Sequence, residues 1–250
     1  MVALSHSVEG EGFPLLMGSS LGTDQRLWAR IAGELADGHR VIRYDHRGHG
    51  QSPVPEGDYT LEQLAADALE LMDSLGIACA DYCGVSMGGM VGMWLAAHHP
   101  SRIRRLVLAC TSAHMPPLQT WIDRAALVRS AGMAAILAPT LERWLTPEFL
   151  AADTPELALI RDQFLGTDPY GYAGCAMAVG AMDLRDDLAS ITAPALVIVA
   201  EEDPSTGPEQ GEFIANEIPH SELMRISGRH LACIEDPHAV LPAIEAFLMP

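Results

Sequence analysis

The chain has 250 residues, 33 of them acidic and 15 basic, for a formal net charge of −18. That length favours one substantial core with an insertion over two independent domains, and so negative a field works against nucleic-acid binding. Five cysteines scattered at 79, 83, 110, 175 and 233 form no paired framework, the first segment lacks a basic, apolar leader, and the small and apolar run at 87–97 is far shorter than the roughly 20 residues that span a bilayer.

In chain order, the first strong signals are FPLLM at 13–17 and RVIRYD at 40–45, short apolar runs that read as strands. Between them Leu27, Ile31 and Leu35 recur at helical spacing and predict a helix within 24–37. From Thr60, the series Leu61, Leu64, Ala65, Ala68, Leu71, Met72 and Leu75 predicts an amphipathic helix, with Thr60 and Gln63 forming a capping box and Gly76 a stop. IACADYCG at 77–84 is weaker by propensity but lies where a strand would feed the Gly-rich bend that follows. A helix is expected over 87–99, strands over 105–110, 195–200 and 222–227, and a terminal helix over 237–248. Strands alternating with helices imply a mainly parallel α/β sheet covered on both faces.

Two stretches break this rhythm. From His114 to Asp187 the pattern is helical throughout, with expected breaks at Gly132, Pro139 and Pro147. A structureless loop of that length is improbable in a compact domain, so 114–187 reads as a helical cap inserted into a core made of 1–113 and 188–250. At the N-terminus only HSV, at 6–8, offers a strand before FPLLM. The first edge strand is therefore expected to be missing or rudimentary, leaving about seven strands and an edge at which a homo-oligomeric partner remains an option.

Gly84-Val85-Ser86-Met87-Gly88 has the G-x-S-x-G spacing of a nucleophile elbow, in which small residues permit a sharp strand-to-helix turn that exposes the Ser hydroxyl. A partner acid and a His should follow in that order. Asp203, in the loop after ALVIVA, is the first choice for the acid, beside the alternative of a turn cap at Pro204; Glu201 and Glu202 are nearer the strand end and less suitable. His230 follows ELMRISGR at the mouth of a strand-to-helix connection, whereas His220 precedes that strand and belongs to the opposite end of the sheet; Cys233 lacks an elbow and reads as packing. In this arrangement His230 would take the proton of Ser86 while Asp203 fixes the imidazole tautomer. The backbone N–H groups of Met87 and Leu21, the latter in the loop after FPLLM, are the candidate oxyanion donors, and Ser20 either contacts substrate or only shapes that turn. Asp45 to Ser52, DHRGHGQS, reads as a loop organised by Asp45 and Arg47, its two histidines lacking the ligands of a metal centre.

Beyond these residues the chain resembles the 3-oxoadipate enol-lactonase family of α/β-hydrolases. The likeness runs through SSLGTDQRLW, RYDHRGHGQS, YTLEQLAADALELMDSLGI, CGVSMGGMVG, LERWLTPEF, GYAGCAMAV, MDLRDDL and HLACIEDP, and so covers nearly the whole chain. It implies hydrolysis of a carboxylate-bearing enol-lactone through Ser86, Asp203 and His230, with neither metal nor organic cofactor. Two departures stand out. The family's Asn-Ser-Leu-Gly loop is Ser19-Ser20-Leu21-Gly22 here, and its Gly-Thr-x-Asp approach to the acid is Ala200-Glu201-Glu202-Asp203, which adds negative charge near the site.

An anionic lactone needs a cationic or strongly hydrogen-bonding contact to offset its desolvation. Arg143 with Trp144, and Arg124 with Trp121, are the candidates, each beside the alternative of cap packing. The expected ligand is thus a small ester or lactone, with no nucleic-acid or membrane partner and residence in the cytoplasm. A carboxylesterase or lactonase for another small substrate, a perhydrolase or cofactor-free haloperoxidase-like activity, and a non-catalytic binding protein on the same scaffold stay open as alternatives.

Overall fold

The computed structural model describes residues 2–249. The apolar runs become strands β1 (His6–Glu9), β2 (Phe13–Gly18), β3 (His39–Tyr44), β4 (Ala80–Val85), β5 (Ile103–Ala109), β6 (Ala195–Ala200) and β7 (Ser221–Ile226). They form one sheet in the order β1-β3-β2-β4-β5-β6-β7, parallel except where β1 runs antiparallel to β3. β4 and β6, which have neighbours on both sides, are buried along their whole length, as strands covered on both faces must be. β1 is the rudimentary edge strand that HSV foreshadows: four residues, alternately exposed, with Val8 facing outward.

The helices, in chain order, are α1 (Ala29–Leu35), α2 (Leu61–Ser74), α3 (Met87–His98), α4 (Leu118–Ala131), α5 (Leu137–Trp144), α6 (Pro147–Ala151), α7 (Pro155–Gly166), α8 (Pro169–Ala181), α9 (Pro208–Glu217), α10 (Ala232–Glu235) and α11 (Pro237–Leu248). The α2 box is formed as its sequence requires, Gln63 N–H donating to Thr60 Oγ1 at 3.2 Å and Thr60 N–H to Gln63 Oε1 at 3.1 Å. The helix expected over 24–37 begins later, at Ala29. Asp24 accepts the Arg26 N–H at 2.9 Å and so caps a tighter 3₁₀ turn over Gln25–Trp28.

Helices α4 to α8 fill the interval between β5 and β6. Gly132, at φ 76°, ends α4, and Pro147 opens α6. Pro139 does not break the chain: it lies in the first turn of α5, where its missing N–H has no intrahelical acceptor to lose. Among the described residues no helix is long and apolar enough to cross a membrane.

Strand order reverses between β2 and β4, so the loops leaving those two strands diverge and open a crevice at the carboxyl end of the sheet. Ser19 to Gly22 leave β2 there, Ser86 leaves β4, and Asp203 and His230 follow β6 and β7 at the same end.

Candidate active site

Ser86 is the hinge between β4 and α3, with φ 56° and ψ −119°, a conformation L residues rarely adopt. The surrounding backbone holds it. Its N–H donates to Ala109 O at 3.0 Å, and its carbonyl accepts the Thr111 hydroxyl at 2.7 Å. Gly88 N–H donates to Ser19 O at 3.1 Å, which ties the start of α3 to the loop after β2. Met87 is the first residue of α3, so its N–H has no intrahelical acceptor. In the β2 loop, Gly22 N–H donates to His49 Nε2 at 2.9 Å and Thr23 N–H to Ser20 O at 3.1 Å, while among the described residues the Leu21 N–H has no protein acceptor.

Asp203 is buried, and its carboxylate accepts four hydrogen bonds: Oδ1 takes the N–H groups of Ser205 at 2.7 Å and Thr206 at 3.1 Å, and Oδ2 takes the Thr206 hydroxyl at 2.7 Å and His230 Nδ1 at 2.8 Å. Asp203 therefore both caps its own turn and engages His230. Burial pushes its carboxyl up, but the His230 charge and hydrogen bond, the Thr206 hydroxyl and the Ser205 amide outweigh that and leave it below the ordinary value of 3.8. Glu201 and Glu202 are exposed turn residues, and His220 sits at the opening of β7, where its carbonyl accepts Ala195 N–H at the start of β6.

Ser86 and His230 line one cavity of about 230 Å³. Ser20, Leu21, Trp121, Arg124, Arg143 and Trp144 line it too, so every residue singled out from the sequence for substrate contact reaches the same space. Met87 is an exception among side chains: it is buried beneath the turn, and Met90, one helical turn on, supplies the wall. Arg124 is held by Tyr172, its Nε donating to the phenol oxygen at 2.6 Å, and by Thr140 Oγ1 at 2.8 Å from Nη2; Arg143 reaches only Thr140, at 3.5 Å. Among the described residues neither guanidinium is paired with a carboxylate. Burial and the neighbouring Arg124 charge both lower the pKa of Arg143. Two cations in a partly apolar recess, without a counter-charge, favour an anionic ligand.

Residues 13–149 match the family model described as the alpha/beta hydrolase fold, more than half of the chain. This chain belongs to the α/β-hydrolase fold family. Together with the enol-lactonase relatives that follow, this membership makes it a serine-hydrolase enzyme. It is 38% identical over 99% of its length to 3-oxoadipate enol-lactonase 2 of Acinetobacter baylyi, of which it covers 93%. The crystal structure of the enol-lactonase from Burkholderia xenovorans LB400 superposes with a TM-score of 0.97 at 39% identity, covering 99% of this chain and 96% of that one. A malate-bound thermophilic esterase from Thermogutta terrifontis follows at 0.93 and 31%, covering 99% and 93%.

Sequence reasoning missed three parts of this α/β-hydrolase site. Thr206 has a signal, three residues beyond the acid in D-P-S-T; Tyr172 and His49 act through contacts with distant residues and have none. The elbow glycines, by contrast, are explained by distance. A Cβ on Gly88 would lie 2.2 Å from Gly18 O, and one on Gly84 2.4 Å from the Gly88 carbonyl carbon, both backbone atoms that no rotamer change can move aside. Gly88→Ala is expected to cost about 3 kcal/mol of stability, read from the midpoint of urea unfolding. A loss below about 0.5 kcal/mol, the ordinary surface value, would contradict the close approach.

Proposed function

We propose that this enzyme hydrolyses a small lactone carrying a carboxylate outside its ring, of the 3-oxoadipate enol-lactone type, through an acyl-enzyme on Ser86. The observation that carries the reading is the Arg124–Arg143 pair, which among the described residues no acid compensates, in the same small cavity as Ser86 and His230. The similarity to enol-lactonases supports it independently. The segment 114–187 is the cap, and 1–113 with 188–250 the core, because the cap helices bring Trp121, Arg124, Arg143, Trp144 and Tyr172 to the cavity while the core brings Ser86 and His230, with Asp203 hydrogen-bonded behind His230. The added charge of Glu201 and Glu202 is no obstacle to an anion, since both face solvent away from that lining. Cytoplasmic residence accords with five free cysteines.

These positions support the following mechanism. Ser86 Oγ attacks the ring carbonyl as His230 Nε2 accepts its proton, and Asp203, hydrogen-bonded to Nδ1, stabilises the imidazolium. The N–H groups of Met87 and Leu21 receive the oxyanion. Collapse breaks the ring C–O bond, and the enol oxygen takes the proton from His230. Because the leaving group belongs to the same molecule, it stays attached to the acyl-enzyme, so the cavity must hold the whole opened chain. Water, deprotonated by His230, then attacks the acyl carbon and releases the acid with Ser86 restored.

A small neutral ester is the second reading, favoured by the apolar side of the cavity at Leu21, Met90, Met115 and Val179. Freshly generated enol-lactone and a neutral ester of similar size distinguish the two. The purified enzyme should accelerate loss of the lactone well above its spontaneous rate. Arg143→Ala should lower kcat/KM for the lactone about 10- to 100-fold, the worth of a hydrogen bond to a charged group, and leave the neutral ester nearly unaffected. No acceleration of the lactone, or an equal loss on both substrates, would reject the anionic assignment.

A further inference from the structure

His49 stands in the loop after β3, buried and outside the cavity lining, and the mechanism above makes no use of it. Its ring is fixed at both nitrogens. Nε2 accepts the N–H of Gly22 at 2.9 Å, and because that donor is a backbone amide, Nε2 must be unprotonated. Nδ1 therefore carries the proton, and the Arg47 carbonyl lies 3.2 Å away to receive it. Cys175 Sγ, 3.8 Å from Nδ1, closes the far side of the ring. Burial holds the imidazole below its ordinary pKa against the Arg47 carbonyl and the charges of Asp45 and Asp24, which all favour protonation.

The amide that His49 accepts is adjacent to Leu21. Gly22, at φ 85°, turns the chain so that Leu21 lines the cavity, and a Cβ there would meet the Phe164 ring at 2.9 Å, so the turn has little freedom from that side. The other side of the loop is anchored to the elbow through Ser19 O and Gly88 N–H. Between these two anchors lies the Leu21 peptide. An oxyanion donor displaced by a fraction of an ångström loses much of its value, because the interaction is worth most when the dipole is already aimed before reaction.

We propose that His49 is a positioning residue for the reaction: as a neutral imidazole accepting Gly22 N–H, it holds the adjacent Leu21 amide where the tetrahedral oxyanion forms. This rests on the reading of Leu21 as an oxyanion donor and Ser86 as nucleophile. Arg47 and Asp45 in the same loop are engaged elsewhere, Arg47 with Asp67 at 2.5 Å and Asp45 with the N–H groups of Gln25 at 2.7 Å and Gln51 at 2.9 Å, so neither substitutes for the ring.

The test compares His49→Gln, whose amide oxygen can still accept, with His49→Leu, which cannot. Three quantities are read: kcat and KM on the preferred substrate, affinity for a small alkylboronic acid that forms a tetrahedral adduct with a nucleophilic serine, and affinity for the carboxylate product as a ground-state ligand. His49→Leu should lower kcat and boronate affinity together, by about 10- to 100-fold, with KM and product affinity little changed, and His49→Gln should recover most of the loss. Equal weakening of boronate and product, or wild-type boronate affinity in His49→Leu, would overturn the proposal. Ser86→Ala separates the underlying reading. If boronate binds the wild type no better than it binds Ser86→Ala, the nucleophile assignment fails; if Ser86 is required but His49→Leu is indifferent, only the role of His49 fails. Should both His49 variants unfold, the wild-type protein still decides. Long-range ¹H–¹⁵N spectra of the imidazoles must then show His49 protonated at Nδ1 alone throughout the active pH range, and an Nε2–H or doubly protonated ring would refute the arrangement.

Discussion

Ser86→Ala is expected to reduce kcat by about 10⁵- to 10⁶-fold while leaving the fold intact, the scale of loss when a nucleophile that acts as a unit with its base is removed. The substitution is structurally clean for a local reason. The cost of φ 56° at the elbow is paid by any L residue, so Ala adds no strain that Ser lacks. The groups that pin the turn are backbone atoms, Ser86 N–H on Ala109 O and Ser86 O on the Thr111 hydroxyl, and both survive. The thermal midpoint should therefore stay within a few degrees, roughly the shift that 1 kcal/mol produces in a chain of this size. A folded variant retaining more than about one per cent of wild-type kcat would remove Ser86 from the mechanism. Rapid quenching of the wild-type reaction for intact-mass measurement adds a second reading. Ring opening leaves both halves of a lactone on the enzyme, so the adduct on Ser86 should weigh as much as the entire substrate. A simple ester would leave only its acyl half. The mass increment thus reports substrate class as well as the site of attack.

Those elements whose character is local were legible in the sequence. ALVIVA becomes β6 at the residues expected because a strand covered on both faces has no alternation to misread, and Thr60 with Gln63 fixes the start of α2 by hydrogen bonds that span three residues. Boundaries slipped where two local devices compete, as at Asp24, whose carboxylate draws the chain into a 3₁₀ turn before the α-helix begins, or at Pro139, which is tolerated because it falls in a first turn. In the site, Ser86, Asp203 and His230 could be picked out because each follows a recognisable strand and the order along the chain is restrictive. Arg124 and Arg143 appeared only as separate alternatives, since nothing in their spacing says that both reach Thr140. His49 was hidden for the same reason: its partner Gly22 is 27 residues away, and the loop around it already had a sufficient explanation in Asp45 and Arg47.

Asp203→Asn should lower kcat by about 10⁴-fold, the loss seen when a buried triad carboxylate is replaced by its isosteric amide. Asp203 Oδ2 accepts from both the Thr206 hydroxyl and His230 Nδ1, so an amide nitrogen placed there confronts two donors and an amide oxygen there leaves the ring with a neutral partner. Either way His230 loses the anion that stabilises its charged form during proton transfer, and in the first case the ring is turned to the tautomer that cannot accept from Ser86. The same variant yields a stability readout of definite sign. Because the fold holds the Asp203 carboxyl below its ordinary 3.8, the folded state binds that proton more weakly than the unfolded chain, and the resulting stabilisation is complete above 3.8 and lost as pH falls through the lower folded-state value. The difference in thermal midpoint between wild type and Asp203→Asn should therefore shift to the disadvantage of the wild type as pH falls below 3.8. The other carboxylates titrate alike in both proteins and cancel in that difference. A difference independent of pH down to acid unfolding would mean that Asp203 is not held as an anion, and the network of four hydrogen bonds around it would need another explanation.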